Sequence, residues 1–348
     1  MKKKLIAMLL SAAMCLSLAA CGQKADTPDT TDPAEPSGDA ATYTVGICQL
    51  VQHEALDAAT QGFIDALNEA LPGQVKIEEK NASGDSNSCA TIVNGFVSEG
   101  VDLIMANATA ALQAAASATS DIPVLGTSIT AYGVALDIDD FSGTVGGNVS
   151  GTSDLAPLTE QADMILDLFP DAKTVGLLYS KSEDSSKQPI EDAKAYLEGK
   201  GIRCVEKTGT TTDEITSAVD ALIAEKVDAV FTPTDNTVMT AELAIYEKFL
   251  NAKIPQYCGA DSFALNGAFV GYGVDYTALG KMTADMVVQV LVDGKSPATL
   301  PVATFDNGIA MINTDSCTAL GYDLAAVKQA FDGKCSSVLE TTTQQNFD

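Results

Sequence analysis

The chain has 348 residues, 46% of them hydrophobic, no Trp and a formal net charge of −27. That length allows two domains of ordinary size, each with its own core, and the few aromatics leave those cores to Ala, Val, Leu and Ile. So acidic a surface repels DNA, RNA and anionic lipid headgroups, which argues against nucleic-acid binding.

The N-terminus opens with Lys2, Lys3 and Lys4, followed by an apolar run from Leu5 to Leu18 that ends in small residues. A basic start and a short apolar stretch before a polar segment make a secretion signal over residues 1–20, too short for a spanning helix. Loss of those three lysines takes the mature charge to −30. The cleavage region Leu18-Ala19-Ala20-Cys21-Gly22 resembles the bacterial lipobox, in which the Cys becomes the new N-terminus and carries lipid. Acyl chains hold to the bilayer because each buried methylene gains about 0.8 kcal/mol. Cys21 is thus the expected lipidation site, and the rest of the chain is expected on the outer face of the cell membrane. Residues 21–42, rich in Pro, Asp, Thr and Ala, read as a disordered tether, with a reach of about 25 Å.

From Tyr43 onward, short apolar runs alternate with helical spacing. Residues 44–48, 75–80, 101–106 and 122–126 read as strands, with helices over 55–70, 88–99 and 110–120 between them. A second series places strands at 174–179, 202–207, 227–232 and 254–258, with helices over 189–199, 213–225 and 238–250. The two series echo each other about 130 residues apart: Val45-Gly46-Ile47 with Val175-Gly176-Leu177, Val101-Asp102 with Val227-Asp228, Ile122-Pro123 with Ile254-Pro255. The fold class is therefore α/β: two Rossmann-like lobes with parallel sheets and helices on both faces. The glycine-rich stretch Gly146–Gly151 has no P-loop pattern and reads as a flexible crossing between lobes.

In open parallel sheets ligands bind beyond the carboxyl ends of the strands, and two facing lobes put a pocket between them. The loops at those ends carry hydroxyls and amides before helices, suited to an anion such as a carboxylate, and several carboxylates suited to an ammonium. Arginine occurs only as Arg203, in a strand run. A zwitterion or amine fits this inventory better than a phosphate or sugar acid, and Asp235 is the expected ammonium partner. His53, the only imidazole, follows the first strand and has no nucleophile beside it. After Cys15 and Cys21, six cysteines remain without a CxxC pair, so no metal site or cofactor is expected. Cys317 and Cys335 are left as either a disulfide or free thiols.

The chain resembles the type I solute-binding proteins of ABC importers, in the branch that includes tryptophan- and tyrosine-type amino-acid binders. The resemblance spans about residues 43–322. It rests on the order and spacing of Leu56-Asp57…Gly62-Phe63, Ala108-Thr109, Gly126-Thr127-Ser128-Ile129-Thr130, Gly147–Asp154, Leu178-Tyr179 with Ser182-Glu183, Pro233-Thr234-Asp235-Asn236, Gly259-Ala260-Asp261 and Gly271–Tyr276 with Leu279-Gly280. It departs from the family pattern at Ala131, where Asp is common, and at Ser185, where Asn is common.

The resemblance implies three crossings, near Ser153, Gly267 and Leu300. It divides the chain into an N-terminal lobe of 43–153 plus 268–300 and a C-terminal lobe of 154–267 plus 301–348. It also implies a cleft lined by Thr109, Ser128, Ser182, Glu183, Asp235, Asn236 and Asp261, to which His53 is added from its position. The expected protein is a monomeric, non-enzymatic lipoprotein that closes on a small amine-bearing solute, an amino acid with an aromatic one as the family-level expectation, and delivers it to an ABC permease. The rivals are a ligand-sensing lipoprotein for a signalling partner, a nucleoside-type solute binder and an extracellular enzyme; the last needs paired catalytic groups, which the loops do not offer.

Overall fold

The computed structural model describes residues 42–305 and 308–344. The signal segment, Cys21 and all but the last residue of the tether lie outside the described residues.

The first lobe runs through β1 (Tyr43–Gln49), α1 (Glu54–Ala70), β2 (Val75–Asn81), α2 (Ser86–Glu99), β3 (Leu103–Asn107), α3 (Thr109–Ala118), β4 (Val124–Ile129), the short α4 (Tyr132–Ala135) and β5 (Val149–Ser153). The second follows with α5 (Leu158–Leu168), β6 (Thr174–Tyr179), α6 (Asp184–Gly199), β7 (Arg203–Thr208), α7 (Thr212–Glu225), β8 (Ala229–Thr232), α8 (Asn236–Ala252), β9 (Gln256–Cys258), α9 (Ser262–Leu265) and β10 (Val270–Gly273). Helix α10 (Tyr276–Leu291) returns to the first lobe. The chain ends in β11 (Ile309–Asn313), α11 (Thr314–Leu320), α12 (Leu324–Ala330) and β12 (Ser337–Thr341).

Two sheets result, one ordered β2-β1-β3-β4-β5 and the other β12-β11-β10-β9-β8-β6-β7. Every pairing is parallel except β10 with β11. Strands covered on both faces must be apolar throughout, and β3 and β4 are buried along their whole length. In β3, Ile104 and Ala106 face α2 and α3, whereas Leu103 and Met105 face α1 and α10.

The sequence echoes have physical causes. Asp102 accepts the Thr44 N–H at 2.7 Å, and Asp228 accepts the Thr174 N–H at 2.9 Å, so each Val-Asp pair pins the start of its lobe's first strand. Gly46 and Gly176 make room for helix side chains: a Cβ there would sit 2.7 Å from Phe96 and 2.8 Å from Leu222.

Three features differ from the sequence expectation. Val149–Ser153 is not a loose crossing but the edge strand of the first sheet. Its glycine serves close approach: Gly151 has φ +146°, and a Cβ would lie 2.1 Å from the Gly126 carbonyl oxygen. The Tyr132 hydroxyl, 3.1 Å from the Gly126 and Thr152 carbonyls, fills the same corner. Second, β10 pairs with β9 and β11, so the chain stays in the second lobe past Gly267 and passes back at Val274–Asp275. Third, Ala303 still bridges Thr152 of the first sheet, so the chain has not yet left the first lobe at Leu300. The first passage occupies residues 154–157, directly after Ser153.

Helix α6 begins at Asp184 and takes Pro189 into its second turn, where the missing N–H forgoes one helical bond. All six described cysteines are free. The Cys317 and Cys335 thiols instead face the backbone carbonyls of Tyr322 and Ser337.

Candidate ligand-binding site

The carboxyl ends of the two sheets face each other across a cavity lined by residues of both lobes, where open parallel sheets take small ligands. Four places on the first lobe line it in strand order: His53 after β1, Thr109 after β3, Ser128 and Thr130 at β4, and Asp154 after β5.

The Thr109–Ser128 corner is built under strain. Asn107 of β3 and Thr127 of β4 are register partners, and the Ala108 N–H donates to the Thr127 carbonyl at 3.0 Å. Ala108 and Ser128 then take φ of +83° and +56°, which costs non-glycine residues on the order of 1–3 kcal/mol each. The turn brings the Thr109 and Ser128 hydroxyls, both 5% exposed, to the cavity without a partner among the described residues. Helix α3 has no side-chain N-cap, so its first N–H groups and positive dipole end are available to an anion.

Asp154 is 3% exposed. Its Oδ2 accepts from the Tyr276 hydroxyl at 2.8 Å, while Oδ1 has no hydrogen-bond partner of good geometry among the described residues. Burial raises its pKa above the usual aspartate value, against the pull of the Tyr276 and Thr130 hydroxyls. A buried carboxylate with one free oxygen is a place for a cation. Among the described residues no Lys or Arg lines the cavity, so the local field favours positive charge beside Asp154, and an anionic group must rely on hydroxyls and helix N–H groups.

The second lobe contributes the α8 start with Asp235, Asn236 and Met239, the α9 residues Ser262 and Phe263, and Ser185, Thr234 and Ala260. With Ala55, Leu56 and Tyr276, the side chains of Met239 and Phe263 give the cavity an apolar stretch. Direct bonds join the lobes: Thr130 Oγ1 to Thr234 Oγ1 at 2.9 Å, His53 Nε2 to Asn236 Oδ1 at 3.0 Å, Gln113 to Asp184 at 2.7 Å and Asn266 to Glu54 at 3.3 Å. This is a closed arrangement.

Of the expected cleft residues, the structure brings His53, Thr109, Ser128, Asp235 and Asn236 to the cavity; Ser182, Glu183 and Asp261 are not among its lining residues. Ser182 bonds Ser180 at 2.7 Å. Glu183 accepts from Asn236 Nδ2 and Thr237 Oγ1, both at 3.1 Å, and so orients the start of α8. Asp261 caps α9 through the Ser262 N–H, and burial pushes it up to about 7. Asp235 reaches the cavity, but its oxygens already accept from the Ser180 and Val238 N–H groups and the Ser186 hydroxyl at 2.6–2.9 Å. It is a structural tie, which argues against its expected role as the ammonium partner. Sequence reasoning passed over Asp154, Met239, Ser262, Phe263 and Tyr276 as site residues. The available signal for Asp154 was a carboxylate at the first passage between lobes, obscured by reading β5 as a crossing.

Residues 44–326 match the family model described as ABC transporter substrate binding protein. The chain is 32% identical over 326 residues to the "Tyrosine-binding protein" of Clostridioides difficile (strain R20291), covering 91% of this chain and 92% of that one. Among solved structures, an ABC domain from Streptococcus pneumoniae in complex with L-Trp is similar at 35% identity and a TM-score of 0.78, over 86% of this chain and all of that one. The ligand-free, open structure of a substrate-binding protein with adhesive properties from Clostridium difficile is 32% identical, with a TM-score of 0.66 over 87% of this chain and all of that one. The better superposition on the liganded structure agrees with the closed lobes seen here. This chain belongs to the ABC transporter substrate-binding protein family, whose members are extracytoplasmic and capture a solute for an ABC importer without turning it over.

Proposed function

We propose that this chain captures a free L-amino acid, with an aromatic side chain as the preferred class, by closure of its two lobes. The ligand ammonium pairs with Asp154, and its carboxylate takes the Thr109 and Ser128 hydroxyls and the start of α3. The side chain lies against Leu56, Met239, Phe263 and Tyr276. The observation that carries this reading is a buried Asp154 oxygen and the buried Thr109, Ser128 and Ser262 hydroxyls, all without partners among the described residues, around a cavity that no described Lys or Arg lines. The relatives' printed ligands, tyrosine and tryptophan, support the aromatic class.

Closure bends the passages at 154–157 and 274–275, and ligand favours it by binding the closed form more tightly. The loaded monomer then docks on a membrane permease. Cys21 carries the lipid that keeps it there, a reading supported by the lysine-led apolar segment before Leu18-Ala19-Ala20-Cys21. A thermal-shift panel of amino acids, amines and nucleosides tests the ligand class. Aromatic L-amino acids raise the melting temperature, since ligand at 100 times Kd adds about 2.7 kcal/mol. A shift with nucleosides alone, or with nothing in the panel, overturns the reading.

A further inference from the structure

We infer that His53 selects ligands whose aromatic side chain ends in a hydrogen-bond donor, a phenol O–H or an indole N–H, over those that lack one. The inference rests on the amino-acid reading above and concerns the opposite end of the same cavity.

Glu183 sets the direction of the bonds that lead to His53. Its two carboxylate oxygens accept from Asn236 Nδ2 and Thr237 Oγ1. A carboxylate only accepts, so the Asn236 amide is fixed with its nitrogen toward Glu183 and its oxygen toward His53. Asn236 Oδ1 lies 3.0 Å from His53 Nε2, and an amide oxygen also only accepts, so Nε2 carries the proton. The loss of water around the ring lowers the histidine pKa, with the Asn236 bond and the Asp57 charge opposing. In the neutral ring Nδ1 is then a bare acceptor. It is buried, has no protein partner, and belongs to a residue that lines the cavity. Leaving such an atom unmet costs binding free energy, and a ligand donor meets it.

The strand order says which part of the ligand that donor belongs to. His53 follows β1, whereas Ser128 ends β4 and Asp154 follows β5. Neighbouring strands are about 4.8 Å apart, which separates His53 from Ser128 by roughly 10 Å and from Asp154 by roughly 14 Å along the cleft, with Thr109, after the adjacent β3, roughly 5 Å away. An ammonium held at Asp154 does not reach His53. The far end of an extended aromatic side chain does, across the apolar stretch of Leu56, Met239 and Phe263.

Calorimetric titration of matched pairs tests this: L-tyrosine against L-phenylalanine, and L-tryptophan against 1-methyl-L-tryptophan. The wild-type protein binds the donor-bearing member of its preferred pair at least tenfold tighter, since sites built to meet a ligand polar group reject analogues without it. His53→Gln puts an amide near the Nε2 position, keeps the link to Asn236 and loses the Nδ1 acceptor. Its preference falls to within threefold, and a cooperative urea melt of the variant shows that it folds. His53→Asn keeps an oxygen near Nδ1 and retains the preference. Equal wild-type affinities within both pairs, or a preference that survives His53→Gln, overturns the inference and leaves the amino-acid reading standing. Failure of all four ligands to bind the wild-type protein overturns both.

Discussion

Glu242 sits on α8 with its side chain fully buried, 0% exposed, and is a sensitive probe of the lobe that carries half the site. Its Oε2 accepts from Gln256 Nε2 at 3.0 Å, while Glu242 Oε1 and Gln256 Oε1 are both left without partners. Burial pushes the carboxyl up to about 8, against the Gln256 bond. A group raised on folding contributes stability that is fully present below its unfolded pKa, near 4.5, and is lost as pH rises through the folded value. Between the two the folded protein keeps a proton that the unfolded chain releases, at about 1.4 kcal/mol per pH unit. Glu242→Gln mimics the protonated acid and supplies an N–H toward Gln256 Oε1. Its stability relative to wild type should rise by about 3 kcal/mol between pH 5 and pH 8. Urea denaturation of both proteins across that range measures the difference, in which shared contributions such as those of Asp235 and Asp261 cancel. A gap that stays constant with pH, or narrows, refutes the reasoning.

Asp154 and Asp235 separate binding from folding. Asp154→Asn should lower amino-acid affinity by about 100-fold or more, since it strips the ligand ammonium of its buried partner, and leave the denaturation midpoint nearly unchanged, because an amide oxygen still accepts from Tyr276. Asp235→Asn should do the reverse, losing about 1–3 kcal/mol of stability, because an amide cannot serve all three of its donors. Calorimetry and urea melts on both variants check the pair. Gly280→Ala should cost about 3 kcal/mol or more, because a Cβ there meets the Ala59 carbonyl oxygen at 1.9 Å and pushes α10 off α1; an unshifted midpoint would contradict that packing.

Much of the fold was legible because its signals are local and periodic. The eight strands expected in the two series all form, and their echoes mark the same jobs done twice, as with Asp102 and Asp228. What was missed depends on pairing across distance. Nothing local in Val149–Ser153 shows that Gly151 lies against Gly126, or that β10 finds β9 and β11 rather than the first sheet. The site divides the same way. Thr109 and Ser128 were readable as hydroxyls at strand ends. Ser182, Glu183 and Asp261 stand at equally suitable ends, but Ser182 Oγ, both Glu183 oxygens and Asp261 Oδ1 are taken by Ser180, by Asn236 and Thr237, and by Ser262. A sequence does not reveal which polar atoms are already engaged, and that is the property that distinguishes Asp154 from Asp235.

The most direct measurement is a titration of purified protein with free L-tyrosine and L-tryptophan beside their N-acetyl and methyl-ester forms. The account predicts one-to-one binding of the preferred free amino acid and at least about 100-fold loss when either end is blocked, since Asp154 needs the ammonium and the Thr109–Ser128 corner needs the carboxylate. Equal affinity for a blocked form would contradict it.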